Sequence, residues 1–324
     1  MADGLISVRG YRLGDDAILE ALWRRTMPAD VVDADTLAVK LLADPNFDRE
    51  GCLIAERGGE PVGFLVAIAR RVPLGPDGAL EMSTGWITVF GVVPDARRSG
   101  VASALFDAGE RFLSDRGRAR VEVAPYAPNY FWPGVDRDRY PAALAFLAAR
   151  GYRKLYDAVA MDRNLVGFTI PDEVRAVEVA RESEGYRFGH LSPRYVRPLI
   201  EFNERVFYPD WTRAMRETIL RRVPWDRTRI ALNPDDELVG YAQYGAYDHV
   251  PDRFGPFGVD ETLRGSGLGK VLLYRTLEDM VAKGFHNTWF LWTGETTPAG
   301  YLYHRAGFTT TRTFEIWGSG LPTA

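Results

Sequence analysis

A six-residue pattern in the first half of the chain returns in the second. Arg97-Arg98-Ser99-Gly100-Val101-Ala102 reappears as Arg264-Gly265-Ser266-Gly267-Leu268-Gly269, and Gly100 to Gly267 is a step of 167 residues in a chain of 324. Self-similarity at half the length means one supersecondary pattern used twice. Each copy follows an apolar run of β character, Trp86 to Val92 and Phe254 to Val259. Each opens a helical pattern. The first carries Ala104, Leu105, Phe106, Phe112 and Leu113, the second Val271, Leu272, Leu273, Leu277, Met280 and Val281. Apolar residues at steps of three and four turn one face of each helix to a core.

The flanking segments match in the same order. Pro61 to Val66 pairs with Glu237 to Ala242, and both read as the second strand of a hairpin. Ala119 to Val123 pairs with Thr288 to Trp292, and Ala149-Arg150-Gly151-Tyr152 with Arg305-Ala306-Gly307-Phe308. Strands and helices alternate, which predicts an α/β fold with a mixed sheet in each copy. The expected domains are 1–166 and 172–324, joined where Gly167 and Pro171 punctuate the chain. At roughly 150 residues per domain the length agrees. The copies differ in one place. Gly100 to Gly151 takes 51 residues and Gly267 to Gly307 takes 40, the surplus falling in Pro125 to Tyr140. Three prolines and several aromatics there predict an ordered loop packed on something.

A strand that ends in a glycine turn and starts a helix presents unpaired N–H groups, and these with the helix dipole make an anion site. Glycines let the backbone approach a pyrophosphate closely. A Walker A loop needs Gly, four residues, then Gly-Lys-Ser/Thr. Gly269-Lys270 is present, but Arg264 and Val271 stand at the other required positions. A dinucleotide fingerprint needs Gly-x-Gly-x-x-Gly. Gly265 and Gly267 begin it, but the next glycine, Gly269, arrives one residue early.

What fits twice is Arg/Gln-x-x-Gly-x-Gly/Ala after a strand. Val92-x-Pro94-x-x-Arg97-x-x-Gly100-x-Ala102 and Val259-x-Glu261-x-x-Arg264-x-x-Gly267-x-Gly269 resemble the acyl-CoA pyrophosphate loop of the GNAT N-acetyltransferase superfamily. The second copy departs from the usual proline at Glu261. The resemblance covers most of the chain and implies two tandem acyl-CoA N-acyltransferase domains. It implies acetyl-CoA as cosubstrate, held by Val92, Arg97, Arg98, Ser99, Gly100 and Ala102 in the first copy. In the second the equivalent residues are Phe257, Val259, Arg264, Gly265, Ser266, Gly267, Gly269 and Lys270.

The resemblance also implies the chemistry. The strand before the loop splays from its neighbour and an amine attacks the thioester directly, with no covalent acyl-enzyme. A lysine-like amine near pKa 10.4 is mostly protonated at pH 7, a deficit of about 4–5 kcal/mol that a base must overcome. Glu295, after the last splayed strand, and His249, beside Asp248 and Asp252, are the candidates for that base. The leaving thiolate needs a proton donor. The family commonly places a tyrosine four residues before the Gly-aromatic pair, which here is Tyr303 in the second copy and Leu147 in the first. Leucine donates nothing, so the second copy is the expected catalytic half. Asp210 and Trp211 are expected to border the acceptor, the acid pairing with a cation and the ring forming a wall.

Composition narrows the partners. The net charge of −4 builds no broad cationic field, which argues against nucleic acid. No apolar stretch approaches the roughly 18 residues of a membrane span, and no signal pattern opens the chain. A cytoplasmic protein acting on a small-molecule or peptide amine is expected, as monomer or homodimer. The single cysteine, Cys52, reads as a small core residue, and no Cys/His spacing suits a metal. Two other readings remain open: a non-catalytic acyl-CoA sensor, and an aminoacyl-tRNA-dependent ligase of the same fold.

Overall fold

The computed structural model describes residues 5–74, 80–247 and 250–322. In chain order the first copy has β1 (Ile6–Gly10), α1 (Asp16–Thr26), α2 (Ala34–Leu37), β2 (Cys52–Arg57), β3 (Glu60–Ile68), β4 (Thr84–Val92), α3 (Val101–Asp115), β5 (Arg120–Val123), β6 (Val135–Asp136), α4 (Pro141–Ala149) and β7 (Arg153–Asn164). The second has α5 (Asp172–Ser183), β8 (Arg187–His190), α6 (Val196–Val206), α7 (Pro209–Leu220), β9 (Thr228–Leu232), β10 (Leu238–Tyr244), β11 (Phe254–Val259), α8 (Leu268–Ala282), β12 (Asn287–Thr293), α9 (Pro298–Arg305) and β13 (Thr309–Gly320). The fold is mixed α/β in both copies. Among the described residues no helix is long and apolar enough to cross a membrane.

Two compact units result, 1–158 with 313–324, and 159–312. They do not part at the 166–172 junction that the repeat suggests. The reason is an exchange of strands. The second half of β7 pairs antiparallel with β12, Met161 opposite Phe290, and so belongs to the C-terminal unit. The end of β13 pairs antiparallel with β5, Trp317 opposite Val123, and with β6, Phe314 opposite Asp136, and so belongs to the N-terminal unit.

In the N-terminal unit β1 to β4 form an antiparallel run and β5 joins β4 in parallel. α3 buries Val101, Leu105, Phe106, Phe112 and Leu113, each worth about 1.5–3 kcal/mol. Gly109 lets it approach β3, since a methyl there would come within 2.8 Å of Leu65. Cys52 is fully buried, and burial pushes its thiol up to about 12. It therefore stays protonated and unreactive. On the other face Trp23 of α1 lies over Phe64, ring centroids 5.5 Å apart. The long Pro125–Tyr140 loop packs there too: Phe131 is 4.8 Å and Trp132 5.8 Å from the Trp23 ring. Polar bonds hold the loop down. The Tyr126 hydroxyl donates to Asp44 (3.0 Å) and accepts from Asn46 Nδ2 (2.7 Å), and Asn129 Nδ2 donates to Asp44 (2.8 Å).

In the C-terminal unit β8 to β11 form an antiparallel sheet. α8 covers one face, where Leu268, Leu272, Leu273 and Leu277 join Val239 and Ala242 in one cluster. α6 and α7 cover the other, where Leu199, Phe202 and Met215 meet Ile230 and Tyr241. α5 packs along α8, tied by a bidentate pair from Arg275 to Glu178 at 2.7 and 2.6 Å.

Candidate active site

The strands flanking each acyl-CoA-type loop part company. In the N-terminal unit β4 pairs with β5 only from Thr84 to Ile87, and Thr88 to Val92 run on without it. In the C-terminal unit the separation is wider. Among the described residues the one bridge between them is parallel and lies just ahead of β11, Arg253 with Trp289 of β12. β11 also carries a bulge, because Ala242 faces Phe257 while Tyr244 already faces Phe254. A bulge beside a site re-aims backbone groups. Among the described residues one edge of β11 is therefore left without a strand ladder, along the opening between β11 and β12.

The loop at the head of that opening is built by glycine. Gly267 caps α8 in the left-handed region at φ 87, as Gly100 caps α3 at φ 88. Gly265 is also left-handed, φ 82, with nothing within 4 Å of where a side chain would start. The first backbone bond of α8 runs from the Val271 N–H to the Gly267 carbonyl (3.1 Å). The N–H groups of Gly269 and Lys270 thus have no helical partner. Gly269 stands 3.4 Å, at the methyl position, from the Phe257 ring and 3.6 Å from Val259. That cradle of open N–H groups without side chains fits a pyrophosphate. The Arg264 guanidinium is exposed and 3.3 Å from Glu261, the residue standing in place of proline. Arg97 instead donates from Nε to the Val92 carbonyl (3.1 Å), and Ser99 donates to the Ala96 carbonyl (2.8 Å). Alanine at Gly267 is expected to clash, its methyl 2.5 Å from Val177 Cγ1, and to force a left-handed alanine costing about 1–2 kcal/mol. Gly267→Ala should lower the melting temperature and weaken CoA binding more than tenfold, read by calorimetry.

Tyr303 sits in the opening. Thr297 caps α9 by accepting from the Gly300 N–H (3.2 Å), and Pro298 starts the helix. That places Tyr303 between the two strands, its ring 4.4 Å from Phe290 of β12, 6.0 Å from Phe257 of β11 and 5.5 Å from Phe308. The tyrosine is 7% exposed, its hydroxyl makes no hydrogen bond among the described residues, and burial raises its pKa above the ordinary tyrosine value. It is thus held protonated, with no acceptor among the described residues. In the N-terminal unit the equivalent Leu147 is fully buried.

The same burial has a stability consequence. Tyr241 is likewise buried, donating to Asn203 (2.8 Å), and its pKa is raised by desolvation. Unfolded tyrosines ionise near pH 10, while these stay neutral in the fold. Their contribution is complete below pH 10 and is lost above it, at up to about 1.4 kcal/mol per pH unit for each. Melting temperature should be flat with respect to these groups from pH 7 to 9 and fall beyond 10, with a shallower fall in Tyr303→Phe.

The other expected residues are distributed unevenly. Glu295 is exposed, accepts from the Thr310 hydroxyl (2.5 Å) and lies 3.6 Å from His304. His249 and its neighbour Asp248 lie outside the described residues. Trp211 stacks on Phe207 at 4.4 Å, and Phe207 presses against Gly258 of β11. Through Phe207 the ring of Trp211, at the start of α7, is linked to β11. The phenylalanine cage around Tyr303 was not anticipated. Its sequence signal was the aromatic at each of Phe254, Phe257, Phe290 and Phe308.

The model of the acetyltransferase (GNAT) family matches residues 16–131 and again 196–308. The chain is 27% identical over 225 residues to the mycothiol acetyltransferase of Actinosynnema mirum, 67% of this chain and 69% of that protein. In fold it resembles the tandem GNAT protein of the clavulanic acid biosynthesis pathway, with TM-score 0.64 and 15% identity over 99% of this chain and all of the other. It also resembles the GNAT glucosamine N-acetyltransferase region of a fungal multi-domain β-N-acetylglucosaminidase, with TM-score 0.81 and 19% identity over 98% of this chain and 38% of that one. The chain belongs to the acetyltransferase (GNAT) family and carries the family's domain twice.

Proposed function

We propose that the C-terminal unit transfers acetyl from acetyl-CoA to the amine of a small molecule, by direct attack in a ternary complex. The single observation that carries this reading is Tyr303, a buried tyrosine between two splayed strands whose hydroxyl makes no hydrogen bond among the described residues. The loop from Arg264 to Lys270 holds the pyrophosphate, and the free edge of β11 holds the pantetheine arm and polarises the thioester carbonyl. The amine nitrogen bonds the acetyl carbon as the carbon–sulfur bond breaks. The amine proton leaves through a base, for which Glu295 and His249 are the candidates. Tyr303 gives its proton, or a strong hydrogen bond, to the departing sulfur, and is reprotonated from solvent.

The N-terminal unit contributes no chemistry in this reading. Leu147 supplies no proton. The curated relative's name makes an amine related to mycothiol the first acceptor to try. Thiol release from acetyl-CoA, followed across a panel of amines, tests the proposal. Turnover that needs both an amine and Tyr303 supports it. CoA binding without turnover on any amine favours a sensor instead.

A further inference from the structure

The helix that opens the second copy, α5, has no counterpart at the start of the first, which opens on β1, yet it lies against the loop. Its inward stripe is Val174, Val177, Glu178 and Arg181, at steps of three, one and three residues along one face. Val174 and Glu178 are buried, and Val177 and Arg181 half-buried. Glu178 grips Arg275 of α8, and Val177 sits against Gly267, the residue that starts α8. Arg181 is one helical turn beyond Val177 on the same face. α5 therefore runs past the amino end of α8 rather than stopping at it. The Arg181 Nη2 is held by Glu184 Oε1 at 2.7 Å, while its Nε is buried with no hydrogen-bond partner among the described residues. A buried guanidinium nitrogen without a partner costs free energy unless something supplies an acceptor. The neighbouring loop is the place where an anion is expected.

We infer that Arg181 binds a phosphate of the cosubstrate, making α5 the outer wall of the acyl-CoA site. The inference rests on the acyl-CoA reading above. Guanidinium recognises phosphate through two parallel N–H donors, and here Nε with one Nη would supply them. Glu184 is the resting counter-ion that the phosphate displaces. Arg181 is a binding residue for the nucleotide end and takes no part in acyl transfer.

Calorimetric titration of the full chain with CoA, 3′-dephospho-CoA and pantetheine tests this. Ser99→Glu is present throughout, so that its carboxylate repels phosphate from the other loop. Arg181→Ala should weaken CoA binding roughly 10- to 100-fold, the scale of a lost charge-assisted pair, and leave pantetheine unaffected. Dephospho-CoA assigns the phosphate: an undiminished loss means the pyrophosphate, and a vanished loss means the 3′-phosphate. Glu184→Gln should tighten CoA binding several-fold, whereas a purely structural Arg181–Glu184 pair would make both variants weaker alike. Arg175→Ala, which breaks the 3.5 Å pair between α5 and Glu278 of α8, controls for loosening of α5 and should bind CoA as the parent does. Equal CoA affinity in Arg181→Ala, or an equal loss toward pantetheine, overturns the inference alone. A parent chain that binds no CoA overturns the acyl-CoA reading itself.

Discussion

Tyr303→Phe should lower kcat for acetyl transfer about 10²–10⁴-fold, the usual range for losing a positioned proton donor, with little change in stability. The two halves of that expectation have separate causes. The ring packs among Phe254, Phe257, Phe290 and Phe308, and phenylalanine preserves that packing. The hydroxyl has no partner among the described residues, so removing it leaves none of them orphaned, and the melting temperature should move by no more than about 1 kcal/mol allows. KM for acetyl-CoA should hold, because the loop and the β11 edge are untouched. Activity on thioesters with better leaving thiols should be hurt less, since those sulfurs depart without help. A variant that keeps full kcat, or that loses activity only by unfolding, would remove Tyr303 from the mechanism.

Removing residues 313–324 should unfold the N-terminal unit even though the cut lies at the far end of the chain. Those residues supply β5 with its antiparallel neighbour and β6 with its only strand partner among the described residues. They include Phe314 and Ile316, both fully buried. Two such side chains contribute about 3–6 kcal/mol, a large share of the 5–15 kcal/mol that a domain commonly has. The truncated chain should aggregate through the bared β5 edge or lose its first melting transition. Limited proteolysis should then cut within 1–158 and spare 159–312. A truncated chain that melts like the parent would show the exchanged strand to be dispensable.

The repeat, its two loops, the hairpin strands and the Tyr303/Leu147 contrast were all legible in the residues. Local chemistry settles them. Gly100 and Gly267 stand where a left-handed cap is needed, and amphipathic spacing separates α3 and α8 from their neighbouring strands. The surplus in Pro125 to Tyr140 was also readable as ordered, because proline and aromatics favour a packed loop over a free one. What it packs on was not readable. Trp23 lies about a hundred residues away, and nothing in either segment names the other.

The candidate site divides the same way. The loop and Tyr303 belong to motifs with fixed spacing. The cage, the bulge in β11 and the approach of Val177 to Gly267 arise from contacts between distant segments. Most of all, the exchange of β7 and β13 was invisible. Both strands follow a Gly-aromatic pair and both are long, so either satisfies a β edge in either copy. Sequence determined that two such strands exist, because that follows from local pattern. Only the tertiary structure decided which edge each completes, because backbone pairing is indifferent to which copy supplies the strand, and the choice rests on side-chain packing around it.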